Sequence, residues 1–278
     1  MSERLRLVAR GAPLALVVLL GLGWLLPEPD GLSLGSADGD AATRVETTLD
    51  ALPDAPIVVV GFDPDVGTYP EIRPTVRVLL DDLVARGAQL VVVSLTPEGR
   101  ALFVAEVGRL EAGGTDVAAI VDLGYVAGSE AALVSLSRSV RAPGAPEALQ
   151  AQLSSAGLGA ADLVVVVGGN DLGPRTWVEQ ALPRIGQPPT VAIAPTILLP
   201  ELVPYVESGQ LDALIATPME GAAYRAAADP TGDGSGGDRP PDRLALVLGM
   251  LVALGVLGQA LGARLVPALR LLRRGERA

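Results

Sequence analysis

The stretch Ile57-Val58-Val59-Val60-Gly61-Phe62-Asp63-Pro64-Asp65 runs apolar for four residues and then ends in two carboxylates flanking a proline. A strand with one wet face alternates apolar and polar side chains, whereas a strand covered on both faces reads as a continuous apolar run. Ile57–Val60 is of the second kind, and so are Leu90–Leu95, Val117–Val121, Leu163–Val167, Thr190–Ala194 and Leu211–Ala216. Longer helical patterns lie between them, at Ile72–Arg86, Pro97–Glu111, Ser129–Val140, Pro146–Ser154, Arg175–Arg184 and Pro200–Ser208. Strands that alternate with helices predict an α/β fold: a doubly wound, Rossmann-like, mostly parallel sheet of about six strands.

Outward from this core the composition changes. Leu244–Leu261 holds no ionised side chain over eighteen residues, the length that crosses a hydrocarbon core as a helix. Gly11–Leu26 is a second uncharged run, with Trp24 near its far end and Arg4, Arg6 and Arg10 before it. It reads as a signal anchor, with a cleaved secretory signal as the alternative. Arginines also follow the second run, at 264, 270, 273, 274 and 277. Positive charge at the outer end of both runs predicts two transmembrane helices with both termini in the cytoplasm and the middle outside the cytoplasmic membrane.

The expected organisation is therefore a cytoplasmic N-terminus and first membrane helix over 1–26, then a flexible linker over 27–43. The extracytoplasmic α/β domain covers 44–228, a Gly/Pro/Asp linker 229–242, the second membrane helix 243–266 and a basic cytoplasmic tail 267–278. In the second membrane helix Gly255, Gly258 and Gly262 allow close helix approach and Gln259 can hydrogen-bond across an interface. The expected partners are the lipid bilayer and either a membrane protein or further copies of this chain.

The formal charge is −11, and neither cysteine nor histidine occurs. This excludes disulfide frameworks, thiol nucleophiles, Cys/His zinc sites and histidine-dependent triads. An acidic domain without a basic face does not bind nucleic acid through its phosphates. Walker, GxSxG and dinucleotide-spaced glycine motifs are absent as well. Glu106, Glu111, Asp81 and Asp82 read as solvated helix faces.

In an open parallel sheet, ligands bind beyond the carboxyl ends of the strands. The residues that fall there, Asp63, Asp65, Ser94, Thr96, Asp122, Tyr125, Ser129, Glu130 and Asn170, are the candidate ligand-binding set. Thr96, Ser129 and Asn170 or Asp171 also precede helices and would serve as caps. The loop carrying Asp122, Tyr125, Ser129 and Glu130 is the preferred site.

Asp63-x-Asp65 after an apolar strand, Ser94 ending the next and Asp171 after a later one resemble the haloacid-dehalogenase-like phosphohydrolases. That resemblance implies Asp63 as nucleophile, Asp65 as acid/base, Ser94 holding the phosphoryl group and Asp171 binding Mg²⁺. The segments GFDPDVGTYPEIRP (61–74), VVVSLTPEG (91–99), DLGYVAGSEAAL (122–133) and SGQLDALI (208–215) are similar to a group of membrane-anchored α/β proteins of bacteria and archaea with no established activity. This second resemblance implies the architecture and no catalytic residue. The leading expectation is a non-enzymatic binding or assembly module, an accessory subunit of a membrane complex. A Mg²⁺-dependent phosphohydrolase and a transporter-associated domain are the alternatives.

Overall fold

Every strand of the domain is parallel to its neighbours, and the order across the sheet is β3-β2-β1-β4-β5-β6. The computed structural model describes residues 39–228. The strands are β1 (Ile57–Asp63), β2 (Gln89–Ser94), β3 (Ile120–Tyr125), β4 (Leu163–Gly168), β5 (Thr190–Ile193) and β6 (Ala213–Ile215). The helices are α1 (Gly39–Asp50), α2 (Tyr69–Ala85), α3 (Pro97–Ala112), α4 (Ser129–Leu136), α5 (Glu147–Ala156), a short α6 (Pro174–Thr176), α7 (Leu199–Glu207) and α8 (Pro218–Ala228). This is the expected doubly wound sheet, flanked by helices.

The continuous apolar runs are explained by two separate cores. Val58, Val60 and Phe62 of β1 join one, with Val45 and Leu49 of α1, Val76 and Leu79 of α2, Phe103 of α3 and Tyr224 of α8. Ile57 and Val59 join the other, with Leu133 of α4, Leu153 of α5, Leu202 of α7, and Trp177 just after α6. Strand order runs one way through β1-β2-β3 and the other way through β4-β5-β6. Connections of one hand then place their helices on opposite faces of the two halves. α2 and α3 cover the face of the first half, while α6 and α7 cover the opposite face of the second. The face left open over β6 is closed by α1, which packs against β6 and α8, while α8 also packs on α2.

Several boundaries differ from the sequence reading. Residues 39–43 belong to helix α1 rather than to a linker, because Ala41 and Ala42 pack inward with Val45 and Leu49. Helices α1 and α8 are elements the periodicity did not reveal. β1 continues through Gly61 and Phe62, so that Asp63 is its last residue and not a loop residue. β3 begins three residues later than expected, since Val117 and Ala118 lie in a turn in which Asp116 accepts from the Ala118 N–H at 2.9 Å. The helix expected at Arg175–Arg184 is only α6, followed by a π turn over Trp177–Ala181 and a 3₁₀ turn over Leu182–Arg184. Pro183 has no N–H to continue the regular ladder there.

The expected membrane helices at 1–26 and 243–266, most of the first linker, the second linker, the basic tail, and Gly255, Gly258, Gln259 and Gly262 all lie outside the described residues. Among the described residues no helix is long and apolar enough to cross a membrane.

Candidate functional site

The strand order reverses between β1 and β4, and Asp63 at the end of β1 is in register with Gly168 at the end of β4. Such a switch point is where open α/β sheets bind ligands. Here the crevice is filled by the chain itself. Asp63 is fully buried, and its Oδ1 accepts three hydrogen bonds from the β2–α3 loop: Leu95 N–H at 2.7 Å, Thr96 N–H at 2.8 Å and the Thr96 hydroxyl at 2.9 Å. The Thr96 hydroxyl also accepts from Gly99 N–H at 3.0 Å and so caps α3. On the other side the Asp63 carbonyl accepts from Gly169 N–H at 3.2 Å and from the Asn170 side-chain amide at 3.0 Å. Asn170 turns its own oxygen to Leu172 N–H at 2.9 Å. One residue thus binds the loops after β1, β2 and β4 together.

Glycine permits this close approach. A Cβ at Gly169 would lie 2.7 Å from the Thr68 hydroxyl and 2.8 Å from Asp65 N, so the β4 loop lies directly against the β1 loop. A Cβ at Gly61 would run into the indole of Trp177, which seals β1 from the opposite layer. Asp63 Oδ2 remains buried without a hydrogen-bond partner. Burial pushes the Asp63 carboxyl up to about 6, against the pull of the Thr96 hydroxyl and the two N–H donors. Desolvation dominates because it penalises the charged form more than three donors to one oxygen favour it.

The remaining expected residues do not converge on Asp63. Asp65 is exposed and accepts from Gly67 N–H at 2.7 Å, a local Asx turn. Ser94 is buried, and its carbonyl accepts from Val126 N–H at 2.8 Å. Asp122 accepts from Gly124 N–H at 2.7 Å and lies 2.8 Å from Arg100 Nη1. Tyr125 is exposed at the last position of β3, and Ser129 and Glu130 are exposed in the first turn of α4; Ser129 opens α4 with a φ of 51° but makes no side-chain cap. Asp171 is exposed, and only its carbonyl is engaged, by the Thr176 hydroxyl at 2.6 Å. Among the described residues no group of three or more carboxylates is placed to hold a metal ion.

Other polar contacts at this edge were not foreseen. Glu71 in the first turn of α2 accepts from Thr196 N–H at 2.9 Å and from the Thr196 hydroxyl, tying α2 to the loop after β5. Glu220 accepts from Ala216 and Thr217 N–H groups while Thr217 accepts from Glu220 N–H, a capping box at the start of α8. Its signal, Thr217-x-x-Glu220, is present in the sequence. Glu106 is not on a solvated face: it is 2% exposed and bonded to Tyr69, Arg77 and Arg109. Burial raises its carboxyl, but the bonds from Arg77 and Tyr69 outweigh it, so the group is held below the usual range. A pocket of about 290 Å³ opens at the opposite, amino-end edge, between Leu49, Leu52, Pro53, Pro56 and Arg86.

Exposed apolar side chains complete the description of the carboxyl-end edge. Val66, Ile197 and Met219 follow β1, β5 and β6, and Tyr125 ends β3, with exposures of 59%, 76%, 43% and 47%. Together the fold and this edge define a doubly wound α/β domain whose switch-point carboxylate is built into the scaffold. No family model matches the chain, and no curated protein matches it.

Proposed function

We propose that this chain is a membrane-anchored, extracytoplasmic binding or assembly module that acts without a catalytic step, as the accessory subunit of a membrane complex. The observation that carries the reading is the state of Asp63. A nucleophilic or metal-binding carboxylate must present an oxygen to the substrate or ion. Asp63 presents none: Oδ1 is saturated by three donors, and Oδ2 is sealed below the surface. The apolar runs at 11–26 and 244–261 supply the membrane attachment, and the carboxyl-end edge supplies the recognition surface.

The test uses the full-length chain extracted in a mild detergent. We expect it to run as a complex larger than one chain in its micelle, and Asp63→Asn to leave that complex in place. A clean monomer would overturn the reading. So would a Mg²⁺-dependent hydrolysis of p-nitrophenyl phosphate that Asp63→Asn abolishes, since this would make the chain a phosphohydrolase.

A further inference from the structure

We infer that the carboxyl-end edge of the sheet docks a protein segment that combines apolar side chains with arginine or lysine. This rests on the binding-module reading and names the chemistry of its partner.

Five large apolar side chains are substantially exposed among the described residues, and four of them are at this edge. The fifth, Val104, lies midway along α3. Ile197 sits on the loop after β5 and Met219 in the first turn of α8, after the adjacent strand β6, and the Glu71–Thr196 bridge ties the β5 loop to the start of α2, a few residues beyond Val66. Ile197 is therefore held on a bridged loop and Met219 on a capped helix start. A solvated surface does not gather its large apolar residues on one edge, and such a set marks an interaction surface.

Charge identifies the occupant. The loops 64–68, 95–96, 126–128, 169–173, 194–198 and 216–217 contain no arginine. Asp65, Glu98, Glu130 and Asp171 stand exposed at the same edge, and none belongs to an ion pair among the described residues. The nearby cations Arg100 and Arg175 are taken, by Asp122 and by Glu179 with Glu201, while Arg73, on the second turn of α2, is exposed. Away from this edge Asp50 and Asp82 pair with Arg86 and Asp81 pairs with Arg109. Two copies meeting edge to edge would oppose Asp65 and Asp171 to the same groups, which like-charge repulsion disfavours. A cationic, apolar segment buries Val66, Ile197 and Met219 and pairs the free carboxylates at the rim.

The experiment replaces Val66, Ile197, Met219 and, as a control, Val104 in turn by the photo-crosslinker p-benzoylphenylalanine, in the full-length chain within its native membranes. We expect crosslinks from the three edge positions and not from Val104, mapping to a segment of another protein with net positive charge. The yield should fall several-fold in the background of Asp65→Asn with Asp171→Asn, and at raised salt. Crosslinks to an acidic or neutral segment, to a second copy, or equally from Val104 would overturn this inference and leave the binding-module reading standing. No crosslink from any position, together with a monomer in detergent, would overturn both.

Discussion

Asp63 is a carboxyl whose burial favours its neutral form. Its carboxyl is raised from 3.8 to about 6, so the folded chain holds a proton that the unfolded chain releases between those values. The sign follows from linkage: the folded state binds more protons in this window, so this group's contribution to stability is fully present below about 3.8 and is lost as pH rises through about 6. At neutral pH the loss is on the order of 3 kcal/mol relative to acid conditions. Asp63→Asn keeps the acceptor oxygen for Leu95 and Thr96 and cannot ionise. We expect the urea midpoint of the wild type, measured relative to Asp63→Asn, to decline steadily from pH 4 to pH 7. Parallel curves would show that Asp63 carries no such proton. The identity of this residue was readable at the end of an apolar run, and so were Thr96 and Asn170 as strand-end polar groups. The capping of α3 by Thr96 was readable too, but the bonds of Thr96 and Asn170 to Asp63 were not, because each bond to Asp63 joins loops 32 to 107 residues apart.

At the scale of elements, the sheet was legible and its lid was not. Strands buried on both faces leave an unmistakable apolar run, and all six lie at or beside their expected positions. β3 was displaced because an edge strand interrupted by Asp122 and Gly124 carries a weaker signal than a central one. α1 was missed because Gly39-Asp40-Ala41-Ala42 has the composition of a linker, and alanine shows its burial only in three dimensions. Here the two readings make opposite forecasts. Ala42 is 4% exposed in α1, so Ala42→Asp places a charge against α8 and β6 and should lower stability by at least about 2 kcal/mol in urea titration. A flexible linker would accept the same change without a measurable shift.

For the whole molecule, the orientation of the domain across the membrane is open to a direct measurement. The chain contains no cysteine, so a single introduced thiol is an unambiguous reporter. Ser155 is exposed near the end of α5, with its hydroxyl bonded only to the Gln152 carbonyl. We expect Ser155→Cys to react in intact cells with a membrane-impermeant maleimide, as an extracytoplasmic domain requires. Labelling that appears only after the cells are lysed would place the domain in the cytoplasm and reverse the orientation drawn from the arginines.

The first and last described helices, α1 and α8, lie against one another, and α1 also lies on the edge strand β6. In mechanical terms, the two ends of the domain share one anchorage. A pull applied between residues 39 and 228 loads the contact of these two helices and the outermost strand first. The central strands β1, β2 and β4, with Asp63 locked among their loops, lie outside that line of force. Tension would thus part α1 from α8, carrying Met219 with α8, while β1, β2 and β4 and the loops bonded to Asp63 kept their arrangement, so a domain held at both ends yields at its margin before its centre.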